Sequence, residues 1–356
     1  MKNIINKKVA LLPVLLIVLA LAIGSCVKDS DGSPDVKAGT PAFESITPNS
    51  GAGGVLVTLK GTGLGDMKAI IFEKDSVSTY LMSTLNTENV LMFRVPAEAA
   101  GGNQNIIFVN SEEKTLSVPF NVLAFPQINT ASNYDFVAGT EITLTGTNLN
   151  DVTKVVLTGT TDEATIVSKT KKQLVIAMPV TSKGRSTLDI TNVTGLTTTT
   201  MEFVSITNNF IVYADAYGSG AFGGGVQSWS WGCNVSESAT DAKTGTKCLK
   251  VDYTDGGLSL WLGSDTWSDG HWFTDFFTPA YITFWAKGGG KDVTIQIKGD
   301  GPPNAPSDSK TVSVPADVWT YFKIPHFIPG TYGRLNLIIS GTTGRTVYFD
   351  DILYVK

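Results

Sequence analysis

Two eleven-residue stretches decide how the first part of the chain folds. Residues 54–64 read GVLVTLKGTGL and residues 139–149, which lie 85 positions further on, read GTEITLTGTNL. In both, apolar and polar residues alternate up to a Gly-Thr pair, and this is the period of a β-strand with one buried face. The same offset relates Pro41 to Pro126 and Asp66 to Asp151. A repeat at a fixed distance predicts two copies of one β-rich module.

The repeat sets the domain boundaries. The two copies fill residues 41–124 (domain 1) and 125–206 (domain 2), and each contains short alternating runs separated by Gly, Pro and Asn clusters. This pattern is typical of an immunoglobulin-like sandwich. From Phe210 to Lys356 strand-like runs recur without a helical period. We therefore predict an all-β chain: two tandem immunoglobulin-like β-sandwiches followed by a larger jelly-roll β-sandwich over residues 207–356, the C-terminal domain.

The first 40 residues carry targeting information. Lys2, Lys7 and Lys8 precede an apolar run from residue 9 to residue 23, and small residues and Cys26 follow. Basic, apolar and small residues in this order are typical of a secretory signal, and the run is short for a membrane span. We predict a signal peptide over residues 1–25 and a flexible tether over 26–40, rich in Asp, Gly, Ser and Pro.

Charge excludes one class of partner. The chain has 27 basic and 32 acidic residues, a formal charge of -5. Removal of residues 1–25 takes away three lysines and no acids and leaves 24 basic against 32 acidic residues. No stretch concentrates the basic residues into the stripe that phosphate groups require, so we expect no binding to nucleic acid.

Aromatic residues concentrate the binding chemistry at the C-terminal end, because all seven tryptophans and both histidines follow residue 210. Sugar rings pack their C–H faces on flat aromatic side chains, while their hydroxyls bond to amide, carboxylate and imidazole groups. One region has this mixture. We predict a glycan-binding site made of Gln227, Trp229, Trp231, Trp261, Asp265, Trp267, Asp269, His271 and Trp272.

Strand alternation gives the orientation of Trp261. Leu258, Leu260 and Leu262 share one face, which we assign to the core. Trp261 and Ser259 then point out of the sandwich, where Trp261 is available to a ligand.

Alternation leaves two other positions open. Trp229 and Trp231 share a face with Val235, so at least one of them belongs to the core unless Gly232 marks a bulge. Trp285 lies on the face opposite to its apolar strand neighbours and is a secondary candidate for ligand contact.

The sequence argues against catalysis. Glycosidases need two carboxyl groups that flank the scissile bond. The C-terminal domain has a single glutamate, Glu237, in a polar stretch, and no Gly-x-Ser-x-Gly motif accompanies its two histidines. We predict that the protein is not an enzyme.

The sequence leaves the state of Cys233 and Cys248 open. An oxidising compartment would allow them to pair. Strand alternation instead turns Cys248 outward while Cys233 follows Val235 inward, so a bridge would need a bulge.

Several short motifs resemble those of known families. The segment Ile23-Gly24-Ser25-Cys26 resembles a bacterial lipobox, which implies lipid attachment at Cys26. The acidic residues 27–32 look like the surface-export signal of Bacteroidetes lipoproteins, which implies an outer-membrane protein displayed at the cell surface.

The repeated module also has a family resemblance. Residues 46–51 (ITPNSG) with residues 57–64 resemble the start of an IPT/TIG immunoglobulin-like domain. The second copy departs from this pattern, because Tyr134 and Asp135 stand where the first copy has Asn49 and Ser50.

The C-terminal domain resembles a carbohydrate-binding module of the galactose-binding-like jelly-roll type, in the segments 213–216, 227–232, 244–247, 256–260 and 348–352. With the lipobox and tandem sandwiches, the whole chain resembles a Bacteroidetes surface glycan-binding protein of the B type. That resemblance implies capture of a polysaccharide for a TonB-dependent outer-membrane transporter, with a β-glucan favoured (laminarin, mixed-linkage glucan or xyloglucan). Similar modules also imply a structural calcium ion at Asp215 and Asp350. The alternative is a surface adhesin or assembly factor that binds a protein partner.

Overall fold

The computed structural model describes residues 36–81, 86–221, 224–263, 277–299, 309–326, 333–339 and 344–356. The chain divides into two compact units, which meet in sequence at Ala124 and Phe125. The described part contains no helix with the length and hydrophobicity that a membrane crossing requires.

Domain 1 is a sandwich of two sheets with strand orders β1-β3-β6 and β2-β8-β7-β4-β5. Its strands are β1 (Ala42–Thr47), β2 (Ser50–Gly51), β3 (Leu56–Thr62), β4 (Met67–Phe72), β5 (Val77–Ser78), β6 (Val90–Arg94), β7 (Gly102–Asn110) and β8 (Thr115–Val122), with a 3-10 helix at Lys74–Ser76. The alternating side chains of β3 place Val57 and Leu59 in the core, where they pack with Phe72, Phe93 and Phe108.

Domain 2 repeats this plan with its own core around Leu144, Ile176 and Phe203. Its strands are β9 (Gln127–Ala131), β10 (Asp135–Phe136), β11 (Glu141–Thr147), β12 (Lys154–Leu157), β13 (Thr165–Lys169), β14 (Gln173–Ala177), β15 (Arg185–Ser186), β16 (Leu188–Thr191), β17 (Leu196–Thr198) and β18 (Phe203–Ser205), followed by a 3-10 helix at Ile206–Asn208. They form sheets β13-β14-β11-β9, β12-β16-β17 and β10-β18-β15.

The C-terminal domain is the largest β-structure. Its strands are β19 (Phe210–Ala214), β20 (Ala216–Tyr217), β21 (Gln227–Ser228), β22 (Trp231–Ser238), β23 (Cys248–Trp261), β24 (Tyr281–Gly288), β25 (Val293–Gly299), β26 (Ser309–Val314), β27 (Thr320–Pro325), β28 (Arg334–Ile339) and β29 (Arg345–Val355). They follow the order β20-β19-β29-β23-β28-β25-β26, with β21 and β22 on β23, and β24 between β29 and β27. The all-β prediction is confirmed.

The long strand β23 connects the two halves of the C-terminal domain. Its first half pairs with β29 and its second half pairs with β28. Leu258, Leu260 and Leu262 are fully buried in the core, as alternation predicts. The opposite face of the second half therefore belongs to Ser259 and Trp261.

Domain 2 packs against the C-terminal domain through an aromatic cluster. The ring of Tyr134 stacks on Trp285 with 6.0 Å between centroids and 15° between planes. Tyr321 lies against both rings and donates its hydroxyl to the Oδ1 of Asp135 at 2.9 Å. Lys243 Nζ stands 4.4 Å from the centre of the Trp285 ring. Trp285 is only 5% exposed. It therefore belongs to this interface and is no candidate for ligand contact, because domain 2 covers the face that alternation turns outward.

An ionic cluster extends the same interface. The carboxylate of Glu202 in domain 2 accepts hydrogen bonds from Arg185, Lys323 and the Tyr281 hydroxyl. Both cations also lie over the Tyr281 ring, at 5.0 Å for Arg185 and 4.3 Å for Lys323. Burial opposes ionisation of Glu202, but the two cations and the hydroxyl outweigh it and lower the pKa of the carboxyl.

The two cysteines of the C-terminal domain are free thiols. Cys233 lies opposite Tyr253, whereas Cys248 lies opposite Ser238, so five residues of register separate them along the β22–β23 pair. Leu249, Val251 and Tyr253 take the core face of β23, as alternation predicts, and Cys248 is fully buried on the opposite face. Burial, reinforced by the nearby carboxylates Asp350 and Asp241, raises the pKa of its thiol to about 12.

Candidate functional site

One face of the C-terminal sheet brings together several of the predicted ligand residues. Trp261 on β23 lies directly opposite Gln227 on β21 on one side and Arg334 on β28 on the other. Paired residues in neighbouring antiparallel strands point to the same face. The three side chains therefore form one row, which we name, with Trp229 and Trp231, the tryptophan face.

Trp229 and Trp261 form a stacked pair in this row. Their ring centroids are 5.4 Å apart and their planes differ by 18°. The guanidinium carbon of Arg334 lies 4.8 Å from the centre of the Trp229 ring. Trp229 also donates its indole N–H to Oε1 of Gln227 at 3.2 Å. Gln227, which the sequence predicts as a hydroxyl partner, thus orients Trp229 as well.

Trp231 joins the same surface because of a bulge. The pairing of β22 with β23 shifts register between Trp231 and Cys233, and Gly232 has a φ of 57°. A Cβ at Gly232 would lie 1.8 Å from the carbonyl oxygen of Asp255, so only glycine fits there. The bulge separates Trp231 from the core position of Val235, and Trp229 and Trp231 remain 49% and 48% exposed.

The backbone beneath Trp231 carries no side chain, because the residue there is Gly257. A Cβ on Gly257 would come 3.1 Å from the ring carbon Cη2 of Trp231 and 2.8 Å from Cγ1 of Ile338. The absence of a side chain at Gly257 thus allows the indole to lie down on the sheet.

Two buried polar side chains beneath the tryptophan face each have an oxygen without a partner in the described part of the chain. Ser259 and Asn336 are cross-strand neighbours, each 1% exposed. Among the described residues, neither Oγ of Ser259 nor Oδ1 of Asn336 has a hydrogen-bond partner. A buried polar group without a partner costs about 1–3 kcal/mol. Such groups are uncommon in folded proteins, and both atoms here are shielded from solvent.

Polar residues continue across the next strands. Lys298 on β25 lies opposite Asn336, and two residues earlier Gln296 donates from Nε2 to Oγ of Ser309 at 2.9 Å. The sequence prediction did not include Arg334, Asn336, Gln296 or Lys298. The signal was present on β28, where Arg334 and Asn336 alternate with the buried Leu335 and Leu337.

Some predicted positions lie outside the described residues. These are Asp265, Trp267, Asp269, His271 and Trp272 of the predicted glycan site, and Cys26, the predicted site of lipid attachment.

The predicted calcium ligands make other contacts. Asp215 accepts the backbone N–H groups of Thr246 and Lys247 at 2.6 and 2.7 Å. Asp350 accepts those of Lys243 and Thr244 at 2.8 and 3.2 Å. No group of three or more His, Cys, Asp or Glu among the described residues is arranged to hold a metal ion. These amides take one oxygen of each carboxylate, Oδ1 of Asp215 and Oδ2 of Asp350, and calcium at these residues stays a prediction.

Burial raises the pKa of the carboxyl groups of Asp350 and its neighbour Asp351. Burial raises the pKa of Asp350 to about 6 even though three backbone N–H groups favour its ionised form. Burial and then the charge of Asp350 raise the pKa of Asp351 to about 7. Asp351 accepts its hydrogen bond from the Thr244 hydroxyl at 2.7 Å. The hydrogen bonds of Asp350 and Asp351 fix the loop at residues 243–247, and they do not position a reacting group.

Comparison with known proteins agrees with this architecture. Residues 41–122 match the IPT/TIG domain family. The chain is similar to the solved surface glycan-binding protein PbSGBP-B from Prevotella bryantii, with a TM-score of 0.56 and 16% identity over 89% of this chain and 99% of that chain. It is also similar to SGBP-B from a complex xyloglucan utilization locus in Bacteroides uniformis, with a TM-score of 0.41 and 17% identity over 88% and 99%. No curated protein sequence matches it. The IPT/TIG resemblance of the first copy is confirmed, and the chain has the fold of the Prevotella protein.

Proposed function

We propose that this chain, which shares the fold of a surface glycan-binding protein, is a non-catalytic protein that captures a polysaccharide on its tryptophan face. One observation carries the proposal: the stacked pair of Trp229 and Trp261 lies in one row with Gln227 and Arg334, and Trp229 is 49% exposed.

The chemistry of this face suits a sugar chain. Exposed indole rings offer flat apolar surfaces to the C–H faces of pyranose rings. The exposed side-chain amide of Gln227 can bond to sugar hydroxyls, which donate and accept equally well. Arg334 adds a planar set of N–H donors beside the rings. A face that combines these groups can orient a chain of neutral sugars without reacting with it.

The proposal includes no catalysis, and three carboxyl groups of the C-terminal domain are engaged in other contacts. Glu237, the only glutamate of the C-terminal domain, forms an ion pair with Lys247 at 2.8 Å. Asp350 and Asp351 are fully buried and bonded to the loop at residues 243–247. None of these carboxyls is available to flank a glycosidic bond as hydrolysis requires.

The finer parts of the proposal rest on the sequence. The lipobox resemblance at Cys26 and the acidic tether support a lipid-anchored protein on the outer-membrane surface. The B-type resemblance supports a β-glucan as ligand and delivery to a TonB-dependent transporter.

Affinity electrophoresis of residues 27–356 tests the proposal. We expect one of laminarin, mixed-linkage β-glucan and xyloglucan in the gel to retard the native chain relative to bovine albumin. The Trp229→Ala variant should migrate faster than the native chain in that gel and equally fast in a gel without glycan. Retardation by no glycan would contradict the proposal and would favour a protein partner, which a pull-down with outer-membrane extract would then seek.

A further inference from the structure

The two immunoglobulin-like domains use the same structural positions in different ways. In domain 1, Ser50 on β2 pairs in parallel with Asn121 on β8. In domain 2, Asp135 on β10 pairs in parallel with Val204 on β18. Asn121 pairs in turn with Asn103, as Val204 pairs with Arg185. The identical pairing makes these positions equivalent in the two copies.

In domain 2 these positions form the interface with the C-terminal domain. Tyr134 and Asp135 contact Trp285 and Tyr321, and Arg185 lies over Tyr281. Val204 packs in a cluster with Tyr281, Leu353 and Val355. This surface of the module is thus an interaction surface in one of its two copies, and charged and aromatic side chains mediate the contact.

In domain 1 the equivalent positions have a different chemistry. Asn49, Ser50, Asn103 and Asn121 replace Tyr134, Asp135, Arg185 and Val204, so the surface carries no charge at these positions. They line a concavity of about 540 Å³ with Phe120 at its floor. Phe43, which is 47% exposed, stands at its edge.

The asparagines of this concavity differ from three others in the domain. The side chains of Asn86, Asn105 and Asn110 are all bonded to other groups of domain 1. Within the described residues, the side-chain amides of Asn49, Asn103 and Asn121 have no such bond. They are therefore free to donate to and accept from a ligand.

We infer that this concavity, the domain 1 concavity, is a second contact site for a neutral polysaccharide. An exposed aromatic ring beside uncharged amides and a hydroxyl matches the mixed apolar and hydroxyl surface of a sugar. Charged groups, which hold the equivalent surface of domain 2 to a protein domain, are absent from these positions. The inference rests on the proposed function, because the ligand would be another segment of the polysaccharide bound by the tryptophan face.

Two sites on one chain bind a long polymer more tightly than either site alone, because the second contact becomes intramolecular. An oligosaccharide that fills only the tryptophan face gains nothing from the second site. We therefore expect Phe43→Ala to weaken binding of the long polysaccharide by roughly three- to tenfold and to leave the affinity for a hexasaccharide unchanged.

The test compares Phe43→Ala and Asn121→Ala with Tyr80→Ala in residues 27–356. Tyr80 is 80% exposed in the same domain and does not line the concavity, so it controls for loss of an exposed aromatic ring. Retardation is measured in gels that contain the polysaccharide retained by the native chain, and hexasaccharide affinity is measured by calorimetry. The same substitutions are made in a Trp229→Ala, Trp231→Ala background, where we expect a weak residual retardation that Phe43→Ala removes.

The outcomes separate this inference from the proposed function. If Phe43→Ala and Asn121→Ala migrate like Tyr80→Ala with every polymer, the domain 1 concavity is not a glycan site, while binding by the native chain still supports the tryptophan face. A lowered unfolding midpoint with unchanged retardation would also overturn the inference, because it would make Phe43 a structural residue. If the native chain binds no glycan at all, the proposed function is contradicted, and the inference about the domain 1 concavity is contradicted with it.

Discussion

Trp229 and Trp261 lie nearly parallel, with 5.4 Å between ring centroids and 18° between planes. Trp261 lies on β23 and Trp229 lies in the link between β21 and β22. The backbone fixes their approach, since the backbone N–H of Trp229 donates to the carbonyl of Ser259 at 2.8 Å. The platform is therefore built before any ligand arrives. A preformed platform reduces the ordering cost of binding.

The stacked pair should behave as one energetic unit. We expect Trp229→Ala and Trp261→Ala each to weaken glycan binding by roughly tenfold, about 1.4 kcal/mol. The double variant should lose less than the sum, because each ring supports the other, with a coupling of about 1 kcal/mol. Calorimetric titration of the four proteins with one oligosaccharide measures the cycle, and strict additivity would show that the rings act separately.

Asn336 should lower the stability of the folded chain. Its Oδ1 is buried without a partner among the described residues, so Asn336→Leu removes an unpaired polar group while nearly conserving volume. We expect the free energy of unfolding to rise by about 1 kcal/mol and the affinity for glycan to change little, because Oδ1 is shielded from a ligand on the surface. Thermal scans and titrations measure both effects. The control is Asn234→Leu on exposed β22, and a destabilised Asn336→Leu would mean that the amide has a structural partner.

Sequence patterns predicted the large-scale architecture because it follows from local rules. Alternation placed Leu258 and Leu260 in the core and Trp261 on the opposite face, and the structure agrees. Gly232 could be recognised as the one residue able to release Trp231 from the core position, which it does by a bulge.

Contacts between distant segments were not predictable in the same way. Trp285 has the alternation of an outward residue, yet Tyr134, 151 positions earlier, covers it. The sequence did contain a sign of this interface, since Tyr134 and Asp135 depart from the pattern of the first copy. Ser259 faces outward as predicted but is buried there, since the segment that carries Trp229 and Ser230 runs beside it. The pattern of one strand cannot reveal what covers it.

Arg334 should contribute through its planar shape as well as its charge. Its guanidinium lies 4.8 Å from the centre of the Trp229 ring, opposite Trp261. A lysine keeps the charge but cannot present a planar set of donors along a ring. We expect Arg334→Lys to weaken glycan binding by roughly three- to tenfold with little change in unfolding midpoint. Arg345→Lys on β29 is the matched control, and equal affinities for the two variants would exclude this role.

The ionic cluster at the domain 2 interface should respond to pH. The pKa of Glu202 is lowered in the folded chain, so its contribution is present above its unfolded value of about 4.3 and is lost as pH falls through the folded value. We expect Glu202→Gln to lower the free energy of unfolding by about 1 kcal/mol at pH 7. The difference from the native chain should shrink below pH 4.

The control for this prediction is Glu163→Gln in the same domain. Glu163 lies 3.8 Å from Lys154, and both side chains are more than half exposed, so its loss should have no measurable effect. Urea unfolding at pH 7 and pH 3.5 measures both variants. Equal stability of the two at pH 7 would show that the Glu202 cluster does not stabilise the interface.

The buried carboxyls of the C-terminal domain should give the opposite pH dependence. The folded pKa of Asp351 is raised to about 7, so its stabilising contribution is complete below the unfolded value of about 3.9 and disappears as pH rises through 7. The native chain should be more stable at pH 5 than at pH 8, by on the order of 2 kcal/mol from this group. Asp351→Asn should flatten that slope, and asparagine tolerates the φ of 43° at this position. Unfolding in chelator at several pH values measures the slope, with exposed Asp255→Asn as control.

Added calcium tests the predicted ion site at the same cluster. An ion bound at Asp215 and Asp350 would raise the unfolding midpoint at pH 8, whereas carboxylates that are satisfied by backbone amides would leave the midpoint unchanged. The hydrogen bonds of Asp215 and Asp350 favour the second result.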